Sequence, residues 1–147
     1  MPFLILSVII VALDRILKFV IFKNFCIGSS SPLIKGILYI TPTYNKGAAF
    51  GLFRESAPCL FIAASVIAIV FILFIILVKR PGSVLLSLGS CLILAGACGN
   101  LIDRIAYGHV LDFIDFKVWP VFNIADSAIT IGTVLVLFYL VVTKRKT

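Results

Sequence analysis

Four stretches of this chain are apolar for long enough to read as membrane helices. Ser56 to Val78 runs 23 residues without a charge, and Pro81 to Ile102 gives 22 more. Ser127 to Thr143 adds 17, extended at its start by Ile124 and Ala125. Pro2 to Phe22 is apolar except at Asp14, Arg15 and Lys18. Crossing the hydrocarbon takes about 20 apolar residues as a helix. The pattern therefore predicts an all-α membrane protein, a four-transmembrane-helix bundle with helices at about 2–22, 56–78, 82–102 and 124–143. The first helix is polar on part of its surface.

Two long segments, about 23–55 and 103–123, separate these spans. Ile37-Leu38-Tyr39-Ile40-Thr41 reads as a strand by its β-branched and aromatic content. Pro42-Thr43 and Asn45-Lys46-Gly47 are turn signals. They predict a small extracytoplasmic β-containing segment. The tract Val118–Phe122 suits the membrane interface, with Trp119 and Tyr107 as belt residues. The whole of 1–147 reads as a single integral membrane domain.

Charge then orients the bundle. Four spans put both termini on one side. The tight Lys79-Arg80-Pro81-Gly82 connection and the Lys144-Arg145-Lys146 tail share that side, with five basic residues and no acid. Six basic residues (Lys23, Lys35, Lys46, Arg54, Arg104 and Lys117) are spread over the two longer opposite loops. Density favours the tight segments as the cytoplasmic face. No basic region precedes the first apolar stretch and no Ala-x-Ala-like site follows it, so it reads as a retained helix and not a cleaved signal peptide.

Composition narrows the class. A 62% hydrophobic chain with 13% charged residues and a mean hydropathy of +1.22 fits neither an ordinary soluble fold nor a disordered one. The net charge of +7 comes without a basic stripe interleaved with aromatics, which argues against nucleic acid as a partner. Cys26, Cys59, Cys91 and Cys98 show no CxxC spacing, and His109 is the lone histidine, so no metal site is expected. Cys91 and Cys98 read as small packing residues; a Cys26–Cys59 disulfide is left open.

Candidate chemistry comes from the acids. Asp103, Asp112, Asp115 and Asp126 fall within 24 residues. Asp14 lies about 18 Å up the first helix, in the outer half of the bilayer. Ionisable groups at the edge of hydrocarbon are costly and mark function by default. Each has a plainer reading. Asn123-Ile124-Ala125-Asp126 is a capping-box pattern, Asp14 and Lys18 form an i,i+4 pair, Asp103-Arg104 suits a solvated helix end, and Asp115 and Lys117 suit a loop. None of these explains why Asn45, Asn100, Asn123 and four acids gather at one membrane face. A hydrolytic site would. Two close carboxylates cannot both ionise cheaply, so one keeps a proton near neutral pH. The ionised one can deprotonate a water while the other polarises a carbonyl. No GxSxG elbow, Ser-Lys dyad or Cys-His pair is specified.

The chain resembles the bacterial signal peptidase II family, the lipoprotein signal peptidases, which are membrane aspartic proteases. The resemblance runs through Asp14…Lys18, Tyr44-Asn45-Lys46-Gly47-Ala48-Ala49-Phe50-Gly51, Gly99-Asn100-Leu101-Ile102-Asp103-Arg104, Gly108-His109-Val110-Leu111-Asp112-Phe113 and Phe122-Asn123-Ile124-Ala125-Asp126. It implies an endopeptidase that cuts diacylglyceryl-modified prolipoproteins just before the lipidated cysteine, with Asp112 and Asp126 as the catalytic pair. Asn45, Gly47, Asn100, Asp103, Arg104, Asn123, Asp14 and Lys18 become supporting or substrate-binding residues. It further implies a bacterial cytoplasmic (inner) membrane location with the site near the outer face, membrane lipid as a contact and no cofactor; nothing demands more than a monomer. Asn45–Phe53 is expected to clasp the substrate, with Gly47 and Gly51 giving the backbone its freedom. The Asp112–Asp126 segment is short for the family and carries Asp115 as a third acid. A small proton-coupled transporter using Asp14 is the competing reading, disfavoured by acids concentrated at the outer end.

Overall fold

The computed structural model describes residues 2–47, 57–79 and 82–144. Most of them are helical. Helix α1 spans Pro2–Asn24, α2 Ala57–Phe74, α3 Val84–Tyr107 and α4 Ile124–Lys144. A single π-helical turn, Ile75–Lys79, extends α2. Three strands lie among the described residues: β1 Ser31–Ile34, β2 Leu38–Asn45 and β3 Val110–Asp115. Within these elements Cys59–Val78, Val84–Tyr107 and Ile124–Thr143 are long and apolar enough to cross a membrane. Helix α1 is as long, 23 residues or about 34 Å, but carries Asp14, Arg15, Lys18 and Lys23.

Helix α1 turns its polar residues inward. Asp14 and Lys18 are buried, while Ile5, Val8, Ile16 and Phe19 are exposed. That inversion suits a helix whose outer surroundings are apolar and whose polar groups find partners within the bundle. Helix α3 is central, packing against α1, α2 and α4. Ser83 caps its start, accepting from the Leu86 N–H at 3.4 Å. Gly108 ends it in the left-handed conformation, φ 72°, donating to the Arg104 carbonyl.

Glycines bring α3 and α4 close together. A Cβ on Gly132 would sit 2.6 Å from the Gly89 carbonyl oxygen, and one on Gly89 2.8 Å from that of Gly132. Small residues permit such approach where apolar surroundings give helices little other reason to associate. Gly132→Leu should therefore destabilise the protein by about 1–3 kcal/mol or more through overpacking, read as a lower unfolding midpoint in detergent. An unchanged midpoint would show that the two helices separate at little cost.

The strands form one antiparallel sheet in the order β1-β2-β3. The expected turn at Pro42-Thr43 is instead strand: β2 runs through it, with a register shift between Ile40 and Thr43 where proline has no N–H to donate. Leu111 and Phe113 of β3 pack on Ile21 of α1, so the sheet is seated on one end of that helix. Val118 and Trp119 are exposed beyond β3, as is Tyr107. All four cysteines are free. Residues 48–53 of the expected clasp, Gly51 among them, lie outside the described residues, as do Arg54, Arg80, Pro81, Arg145 and Lys146.

Candidate active site

The start of α4 is set by a reciprocal cap. Asn123 Oδ1 accepts from the Asp126 N–H at 2.9 Å, and Asp126 Oδ2 accepts from the Asn123 N–H at 3.2 Å. The capping box read from the sequence is therefore present, and it fixes where Asp126 points. Asn123 also donates from Nδ2 to Asp112 Oδ1 at 2.7 Å. One fully buried asparagine thus touches both carboxylates. Asn45 Nδ2 donates to Asp112 Oδ2 at 2.8 Å, and Asn100 Nδ2 to Asp126 Oδ1 at 2.7 Å. Each of the four carboxylate oxygens accepts one N–H.

Asp112 lies in β3, outside the membrane-capable helices, and is 1% exposed. Burial pushes its carboxyl up to about 6, with the negative charge of Asp126 acting in the same direction. The amides of Asn45 and Asn123, and the charge of Lys18, pull the other way by favouring the ionised form. A carboxyl at this value can take and release a proton near neutral pH.

Asn45 is itself held in place. Its Oδ1 accepts from the Gly47 N–H at 2.8 Å, which leaves Nδ2 facing Asp112. Gly47 has φ +78°, and a Cβ there would collide with the Phe61 ring. The position needs glycine for conformation and for space alike.

Behind the pair lies a charge quartet. Lys18 Nζ is 2.9 Å from Asp14 Oδ2 and 2.7 Å from Asp103 Oδ2. Arg15 pairs with the same two carboxylates. Two cations face two anions, which keeps the buried cluster neutral. It also reaches the site: Lys18 Nζ is 3.4 Å from Asn100 Oδ1, and Asp14 Oδ1 accepts from the Ala125 N–H at 3.2 Å in the first turn of α4. Asp14 and Lys18 are not a surface ion pair, since they are 0% and 4% exposed. Asp103 is not a solvated helix end, because α3 continues to Tyr107 and buries it.

One further acid differs from expectation, and one base lies at the edge of the site. Asp115 is no loop charge but the last residue of β3, accepting from Thr41 Oγ1 at 2.6 Å and from Lys117 Nζ at 2.6 Å. Lys117, foremost, and Thr41 hold its carboxyl down at about 2. It is occupied in tying β3 to β2. Arg104 does not pair directly with either carboxylate of the site; its Nη1 is 3.3 Å from Ser65 Oγ, and its guanidinium lies 5.5 Å from the Phe61 ring centre, joining α3 to α2.

The structure thus gathers Asp112, Asp126, Asn45, Asn100 and Asn123 at one point, with Asp14, Lys18 and Asp103 directly behind and Gly47 and Arg104 at its edges. Sequence reasoning missed Arg15. The signal was available: three charges at Asp14, Arg15 and Lys18 leave one cation more than the i,i+4 pair uses, which calls for an acid on another helix.

Buried carboxylates held among membrane-capable helices beside a small sheet suit a membrane enzyme, and the chain superposes on solved structures of that class. A bacterial membrane enzyme solved by the in meso method at 2.3 Å resolution superposes with a TM-score of 0.91 at 31% identity, covering 99% of this chain and 91% of that one. A second, at 1.9 Å, gives 0.88 at 32% identity, covering 95% and 92%. The family model for signal peptidase (SPase) II matches residues 6–142. Lipoprotein signal peptidases are similar along almost the whole length: that of Halothermothrix orenii is 42% identical over 92% of each chain, and that of Moorella thermoacetica 40% identical over 95% of this chain and 93% of its own. The chain belongs to the signal peptidase II family and is a membrane peptidase. The transporter reading falls with that membership.

Proposed function

We propose that this protein is an aspartic endopeptidase that removes the signal peptide from diacylglyceryl-modified prolipoproteins, cutting before the lipidated cysteine. The observation that carries the reading is the pair Asp112 and Asp126, both bound by Asn123, one of them titrating at about 6. The two share one proton. The ionised member takes a proton from the lytic water, which attacks the scissile carbonyl. The protonated member donates toward the carbonyl oxygen, giving a tetrahedral diol, and a proton then passes to the leaving amine. Asn45, Asn100 and Asn123 hold the carboxylates in line, and Arg104 and Gly47 border the space where the peptide lies.

In this reading α1 is a fourth span, its charges hidden by the quartet. The chain is one multi-pass domain of the cytoplasmic membrane, acting as a monomer with its termini in the cytoplasm. Its substrate helix enters from the lipid and is cut near the outer face. The test is to incubate the purified protein in lipid with a diacylglyceryl-modified prolipoprotein and with its unlipidated counterpart. The lipidated form alone should shift on a gel. Cutting of both forms alike would remove the lipid requirement, and cutting of neither by folded protein would remove the function.

The shared proton also sets a pH dependence. Above the upper apparent pKa of the pair both carboxylates are ionised and the acid is lost, so kcat/KM should fall on the alkaline side of about 6. Asn45 favours ionised Asp112. Asn45→Ala removes that donor, raises the Asp112 pKa and should move the alkaline limb upward by about one unit, the scale of one hydrogen bond to a charged group. A limb that stays or moves down would contradict the role given to Asn45.

A further inference from the structure

Strand pleating sends alternate side chains to opposite faces. Asn45 and Asp112 meet on one face of the β2–β3 ladder. Tyr44, opposite Leu111 in the register, points to the other, where its ring lies 4.0 Å from that of His109. There the two strands and the adjoining ends of α1 and α3 enclose a cleft of about 460 Å³. That is the size of a small-molecule site, and the chemistry proposed above does not use it.

The cleft is amphipathic. Its floor holds Arg15, Lys18 and Asp103, whose charges are already matched within the quartet. Phe19 and Phe22 form one wall and belong to the exposed apolar face of α1, continuous with Ile16. At the mouth, the hydroxyls of Tyr44 and Tyr107 and the ring nitrogens of His109 have no hydrogen-bond partner among the described residues. Lys23 Nζ lies 4.7 Å from the Phe19 ring centre, and no carboxylate among the described residues pairs with it. A wall open to acyl chains below, with hydrogen-bond donors and one unmatched cation above, has the polarity of a lipid at the membrane interface.

We propose that this cleft binds an anionic phospholipid, one acyl chain lying along Phe19 and Phe22 and the phosphate oxygens meeting Tyr44, Tyr107, His109 and Lys23. A lipid there joins α1 to the back of β3, the strand that carries Asp112. Tyr44 and Leu111 face it from the side of the ladder opposite Asn45 and Asp112, and its floor residue Lys18 lies 3.4 Å from Asn100 Oδ1. It rests on the membrane location of the protein and not on the roles of Asp112 and Asp126.

The test uses the full chain in nanodiscs and a phosphatidylglycerol bearing a diazirine near the carboxyl end of one acyl chain. After photolysis, mass spectrometry maps the labelled peptides. Labelling should concentrate on the α1 peptide containing Phe19 and Phe22, well above that of Val70 and Phe71 on the exposed face of α2. It should exceed that of a matching phosphatidylcholine probe roughly fivefold, the effect of one lysine near an anionic surface. The double substitution Tyr107→Phe/His109→Ala should cut the α1 label roughly tenfold, as two lost hydrogen bonds would, with the unfolding midpoint unchanged. Equal labelling of α1 and α2, or no preference for phosphatidylglycerol, would overturn the proposal. So would displacement of the label by lipidated prolipoprotein bound to an Asp126→Asn protein, which would assign the cleft to the substrate. Cleavage by the wild-type protein, measured separately, keeps the failure of this proposal distinct from failure of the peptidase reading.

Discussion

Replacing either Asp112 or Asp126 by asparagine should lower single-turnover cleavage of a lipidated prolipoprotein by about 10³- to 10⁴-fold, the upper range for lost acid–base catalysis. The reason is specific to each position. At Asp112 the change removes a group held at about 6 in a nearly dry setting, where a carboxyl can exchange its proton and an amide cannot. At Asp126 it keeps an oxygen for the Asn100 or the Asn123 donor but removes the second proton acceptor of the pair. Both variants should fold. Asparagine is close in shape, and the lost cap interaction at Asp126 is worth about 1 kcal/mol. The measurement is a quench-flow or gel time course, with the unfolding midpoint recorded for each variant. Wild-type-like turnover by either would remove that aspartate from the pair.

The largest stability effect should come from Lys18→Met. Lys18 is 4% exposed and lies between Asp14 and Asp103. Removing it leaves two buried carboxylates facing Arg15 alone. Breaking a buried ion cluster from one side costs about 3–5 kcal/mol, mostly because a charge is left without its partner. Lys35→Met, on the exposed hairpin between β1 and β2, is the control and should change little. Lys18→Met should also slow cleavage, because Asn100 Oδ1 loses a neighbour that helps keep Nδ2 turned toward Asp126. Denaturant or thermal unfolding in detergent measures the first effect. A change no larger than that of Lys35→Met would show that the quartet contributes nothing to holding α1 against α3.

Much of this molecule could be read from its sequence where the physics is local. Uninterrupted apolar runs gave α2, α3 and α4 to within a few residues, and Asn123 with Asp126 carried a capping pattern that needs no knowledge of the rest of the chain. The misreadings are all non-local. Val110–Asp115 reads as a loop because Asp112 and Asp115 break its apolar run; only pairing with β2 and burial against Ile21 make it a strand. Ser31–Ile34 is short and holds a proline, so its strand character comes from β2 as well. Asp115 reads as a loop charge because nothing in its neighbourhood along the chain names Thr41, 74 residues away, as its donor. Arg15 has no partner legible in the sequence for the same reason: Asp103 is 88 residues distant. The gathering of asparagines and aspartates was visible as an anomaly, and the family resemblance turned it into residue assignments. The amide-by-amide wiring, in which Asn123 serves both carboxylates, required the fold.

Asp112 and Asp126 are expected to act as one unit around a shared proton. The most direct measurement compares the single-turnover rate of the double variant Asp112→Asn/Asp126→Asn with that of each single variant, on lipidated prolipoprotein. Groups that act as a unit are strongly non-additive. The double variant should therefore cleave within a few-fold of either single variant. Losses that multiply, so that the double variant falls by the product of the two single effects, would show two independent contributions and contradict the shared-proton pair.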